Sequence, residues 1–95
     1  MVIRIADIVK GADTQAQGAC VHEALCRALS GSASVTVSFE GIDTATSSFV
    51  NVSFARLLDR LSLNDIKTRI RVVKSTKQIN DMIRRRLERS ASVVA

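Results

Sequence analysis

Ninety-five residues, 46% of them hydrophobic and 24% charged, with four glycines and no proline, suit one compact domain over 1–95 and leave no room for a second. The 29 Val, Ile, Leu and Phe residues place the chain well above the composition of disordered proteins, and no apolar run reaches the ~18 residues a membrane span needs. The formal charge of +5 is uneven: residues 1–65 carry five basic and seven acidic side chains, whereas residues 66–95 carry nine basic and two acidic, which raises an anionic partner for the C-terminal third.

In chain order, the N-terminal VIRI is a short β-branched run, and Arg4 and Asp7 interrupt the apolar core a secretory segment would need. The expected setting is therefore cytoplasmic. A first helix over about 15–29 opens with Thr14, has Gln17 at the capping-box position, and carries the stripe Val21, Ala24, Leu25, Ala28, Leu29. Cys20 and Cys26 both fall on it. Six residues of helix separate their Cα atoms by about 9 Å, beyond the ~7 Å a disulfide spans, so two free thiols are expected, as suits a reducing compartment.

The run VTVSF places Val35, Val37 and Phe39 on one sheet face and Thr36, Ser38 and Glu40 on the other. A second helix over about 48–61 buries Val50, Phe54, Leu57, Leu58 and Leu61; at ~100° per residue, Phe49 and Val52 then point away, beside Ser53 and Arg56. In RIRVV, Ile70 and Val72 oppose Arg69 and Arg71. A third helix over about 77–89 opens with Ser75, has Gln78 at its box position, and turns Ile79, Met82, Ile83 and Leu87 inward. A loose tail is expected at about 90–95. Three strands alternating with three helices at a spacing of about 30 residues read as βαβαβα. Their dry and wet faces predict an α/β two-layer sandwich, with a small, mostly parallel sheet and helices mainly on one face.

Little catalytic chemistry is encoded. Gly11, Gly18, Gly31 and Gly41 form neither a Walker loop nor a dinucleotide fingerprint, so no nucleotide cofactor is expected. His22 and Cys26 stand at i and i+4, where they could share a helix face as a thiol and base or as two metal ligands. Further ligands are missing from the local sequence, and neither catalysis nor a metal is assigned to the pair. Arg84, Arg85 and Arg86 diverge by ~100° per residue on a helix, and Asp81 and Glu88 lie within pairing distance of them along the chain.

The segment Phe39–Val50, FEGIDTATSSFV, leads from a strand through a glycine turn to a helix start at Ser47 and Ser48. Val35-Thr-Val-Ser-Phe-Glu-Gly-Ile-Asp, followed by Thr46-Ser47-Ser48, resembles the STAS superfamily, and the Ser-Ser-Phe form is similar to the bacterial STAS-like domains of unassigned role. Thr46 stands where anti-sigma-factor antagonists of that superfamily carry Asp, and Phe49 where they carry Gly. Ser47 then matches their phosphorylated serine. The resemblance implies a non-enzymatic binding protein that a histidine-kinase-like ATPase partner binds and phosphorylates at Ser47 or Ser48.

The residue pattern and the resemblance together predict a protein-protein signalling module whose partner surface comprises Thr46, Ser47, Ser48, Phe49, Val52 and Arg56. The alternative is a basic module docking on nucleic acid through Arg69, Arg71, Lys74, Lys77, Arg85 and Arg89. Against it, the chain has no Trp or Tyr for base stacking.

Overall fold

The computed structural model describes residues 1–94, and the side chains of residues 1–91. Its elements are β1 (Val2–Arg4), α1 (Ile5–Ile8), α2 (Gln15–Gly31), β2 (Val35–Ser38), α3 (Ser47–Ser53), a 3-10 helix (Ala55–Asp59), α4 (Leu63–Arg69), β3 (Ile70–Val73) and α5 (Lys77–Val94). The strands form one sheet in the order β1-β2-β3 with both pairings parallel. The α/β two-layer sandwich is as expected; its additional helical turns, α1 and α4, lie in segments read as strand or connection.

Register explains the two faces. Ile3, Val37 and Val72 form one cross-strand row, and Val35 and Ile70 a second. Both rows lie under the helices, where Val35 and Val37 are fully buried with Val21 and Leu25 of α2 and Ile79 and Ile83 of α5. Opposite them, Val2 and Arg71 flank Thr36 on a face open to water, with Val2 69% exposed. The period-2 alternation read from VTVSF and RIRVV is this division, except at Ser38, which is 7% exposed although it falls on the Thr36 side.

Local signals account for most helix starts. The Thr14 hydroxyl accepts from Gln17 N at 3.1 Å while Gln17 Oε1 accepts from Thr14 N, the expected capping box of α2. A second box, Ser62 with Asp65, starts α4. The cap of α5 differs from expectation: Thr76, not Ser75, accepts from Ile79 N, and Ser75 Oγ donates to Asn80 Oδ1. Gln78 serves elsewhere, because its amide binds the backbone of Ala45. At the chain end, α5 continues through Val94 where a loose tail is expected, and Ala95 lies outside the described residues. Among the described residues, no helix is long and apolar enough to cross a membrane.

Charge ties the C-terminal ends of the strands together. Glu40, just past β2, pairs with Arg4 of β1 at 3.3 Å and with Lys74 beyond β3 at 3.1 Å. The Lys74 ammonium, which both hydrogen-bonds and attracts the carboxylate, holds Glu40 below its ordinary value of 4.5, with Arg4 adding to the pull. A depressed carboxylate stabilises the fold above its unfolded value and loses that contribution as pH falls through its folded one. The pair is exposed and therefore screened by salt. NMR titration of Glu40 should give a midpoint below 4.5 that returns toward 4.5 in Lys74→Met and at high salt; a midpoint unmoved by either change would break the assignment.

Candidate functional site

The region before α3 is held from two sides. Thr46 N donates to Ala12 O at 3.0 Å and Thr46 Oγ1 to Asp13 O at 2.8 Å, which joins the turn to the approach of α2. On the other side, Gln78 of α5 accepts from Ala45 N and donates to Ala45 O, both at 2.9 Å, while Thr76 Oγ1 donates to Asp43 O at 2.9 Å. The side chains of Thr46, Thr76 and Gln78 thus meet the hydrogen-bonding needs of a turn that has no sheet partner. Residues 43–46 become a rigid support for the start of α3.

Thr46 is the N-cap of α3, accepting from Phe49 N at 3.3 Å, so this hydroxyl is engaged as both donor and acceptor. The hydroxyls of Ser47 and Ser48 make no hydrogen bond among the described residues; Ser47 is half-buried and Ser48 exposed. Of the three consecutive hydroxyls, only these two are available for modification or docking.

Phe49 and Val52 contradict the expectation of an exposed pair: Phe49 is fully buried and Val52 is 7% exposed. The expectation assumed one straight helix to residue 61 with a single buried stripe. Instead, α3 ends at Ser53, where Leu57 N donates to Phe54 O and the backbone tightens into the 3-10 helix. Packed between α2 and α5, this short helix buries more than one face. Phe49, Val50 and Phe54 all join the core cluster, while Val52 Cβ and the Phe49 backbone carbonyl face α2 at Gly18. Neither can be offered to a partner without local unfolding.

The outward face of α3 therefore carries Ser48 and Asn51, and Arg56 continues it on the 3-10 helix. Arg56, Arg86 and Arg89 line one shallow depression of about 460 Å³ with Asn51 and Asp59. No ion pair involves any of these arginines among the described residues. Arg86 was left out of the sequence-predicted surface, although its i+7, i+4 and i+3 spacing from Ile79, Met82 and Ile83 sets it beside the inward stripe of α5.

The residues of the alternative surface scatter. Arg69 donates to Leu29 O, Ser32 O and Ala33 O at 2.8 to 3.1 Å, satisfying carbonyls at the end of α2. Lys74 is paired with Glu40, and Arg71 stands on the open sheet face. Lys77, Arg85 and Arg89 are exposed on α5. The group therefore divides between two surfaces and a structural clamp.

Elsewhere, Cys20 and Cys26 are free thiols, and no group of three or more His, Cys, Asp and Glu side chains suited to a metal occurs among the described residues. His22 and Cys26 do meet, Nε2 to Sγ, at 3.4 Å.

A parallel three-stranded sheet under one helical layer, with paired serines opening the helix after its central strand, makes a small α/β two-layer module. The family model for the STAS-like domain of unknown function (DUF4325) matches residues 17–80, and the chain belongs to that family. The match runs from the first turn of α2 through β2, α3 with its serine pair, α4 and β3 to the first turn of α5. No curated protein and no solved structure matches the chain.

Proposed function

We propose that the domain is a non-catalytic protein-protein signalling module whose docking surface is the outward side of α3 and its arginine-lined depression: Ser47, Ser48, Asn51 and Arg56, joined by Arg86 and Arg89. A histidine-kinase-like ATPase partner binds there and transfers phosphate to Ser47 or Ser48. The observation that carries this reading is the division of labour among three adjacent hydroxyls, with Thr46 spent on structure and the serines unengaged on a braced support. A phosphate would add nearly two negative charges at the start of the helix whose outward face Asn51 and Arg56 continue, changing its complementarity to a partner without disturbing the core.

Binding through arginines that make no ion pair among the described residues favours an acidic face on the partner. Phosphopeptide mapping of the protein from its native cells should place phosphate on Ser47 or Ser48 and none on Thr46. With the isolated partner, Ser47→Asp and Arg56→Ala should each weaken binding by about five-fold or more while the domain stays folded by circular dichroism. Absence of phosphate at both serines, together with unchanged binding by both variants, would remove the assignment. Tight nucleic-acid binding with a log-log salt slope near −0.9 per phosphate contact would favour the basic-module alternative.

A further inference from the structure

We propose that Cys26 is an oxidative-modification site, its thiol activated toward small peroxides by His22, which the carbonyl of Ser53 orients. The arrangement has a nucleophile, a base and an orienting group, and it arises from a break in the fold. Because Leu57 N donates to Phe54 O, the helix does not continue in α geometry past Ser53, and Ser53 O lies 3.1 Å from His22 Nδ1. Only the Nδ1–H tautomer can donate to a carbonyl, so this contact leaves the Nε2 lone pair free. That nitrogen lies 3.4 Å from Cys26 Sγ. The imidazole is thus fixed from α3 to accept the thiol proton of α2.

A cation borders the thiol. Cys26 is half-buried and lines a cavity of about 140 Å³ with Leu57, Leu61, Arg60 and Arg69. Arg69 is held there by its three carbonyl acceptors, so a positive charge borders the cavity permanently. The space beside the thiol admits a small oxidant such as hydrogen peroxide. His22 takes the thiol proton, and the thiolate attacks one peroxide oxygen. The S–O bond forms as the O–O bond breaks. Sulfur is oxidised by two electrons to a sulfenic acid, the peroxide is reduced, and the departing hydroxide recovers the proton from the imidazolium to leave as water. The reaction is independent of the serine surface.

Cys20 provides an internal reference. It lies on the same helix and is more exposed, so access alone would make it the faster thiol. The purified full chain treated with hydrogen peroxide, trapped with dimedone and analysed by peptide mass spectrometry should label Cys26 about ten-fold faster than Cys20. In urea above the unfolding transition, the two rates should converge. His22→Gln should lower the Cys26 rate about ten-fold and leave Cys20 unchanged. Equal or faster labelling of Cys20 in the native protein overturns the proposal, as does a folded His22→Gln variant with an unchanged Cys26 rate. If that variant fails to fold, the native-to-denatured comparison in the unmodified chain decides.

Discussion

Phe49→Ala is expected to destabilise the domain by about 3–5 kcal/mol, a large part of the ~5–15 kcal/mol that holds a domain of this size together. The ring has no solvent exposure and belongs to the core cluster that also contains Val21, Val50 and Phe54. Truncation removes its transfer free energy and leaves a cavity between elements that cannot collapse freely. Against the ~4–8 °C per kcal/mol typical of domains of this length, the unfolding midpoint should fall by at least about 12 °C. Ser48→Ala, one residue away and exposed, should stay within about 0.5 kcal/mol of the parent. A small stability loss in Phe49→Ala would mean that the side chain faces a partner instead of the core.

Gly18→Ala should destabilise by about 1–3 kcal/mol, although alanine is intrinsically better in a helix by about 1 kcal/mol. A Cβ at this position would lie 2.7 Å from the carbonyl oxygen of Phe49 and 3.0 Å from Val52 Cβ. The first contact is backbone and the second is the root of a side chain, so no rotamer change relieves either one. Helices α2 and α3 would have to move apart, loosening the most extensive contact between any two elements. Val52→Ala should not rescue the variant, since it retains the offending Cβ. Gly31→Ala supplies the control: its added Cβ meets no atom within 4 Å beyond its chain neighbours and its own helix backbone, and the substitution should be neutral or stabilising by up to about 1 kcal/mol. Urea denaturation with unchanged m-values would measure both. A neutral Gly18→Ala would contradict the close helix approach.

The sheet and α2 were legible because their signals are local and repeat along the chain. Val35 and Val37 alternate with Thr36 and Ser38, and Thr14 and Gln17 do what their spacing suggests. The helix start at Ser47 and Ser48 was legible, and the burial of Phe49 and Val52 was misread. A helical wheel assumes a constant turn angle and one buried side, and α3 satisfies neither condition once Ser53 ends it and two helices enclose it. Gln78 was misread for a related reason: its position allowed a local cap, but a backbone segment distant in sequence competed for the amide and won. The Ser62–Asp65 box carried its own local signal, hidden by assigning those residues to the end of one helix and the approach to a strand.

The parallel pairing also shapes how the chain must fold. Val2 meets Thr36, and Val35 meets Ile70, so each strand contact encloses more than thirty intervening residues and no hairpin can form early. Loop-closure entropy falls before any strand contact returns a gain, and the early organisation passes to helices that can form locally and collide. The capping box of α2 and its close approach to α3 then have a kinetic role, because that helix pair can assemble a hydrophobic surface on which β2 recruits its neighbours. The chain has no proline, so prolyl isomerisation adds no slow step, and the rate is left to the search for those two distant pairings.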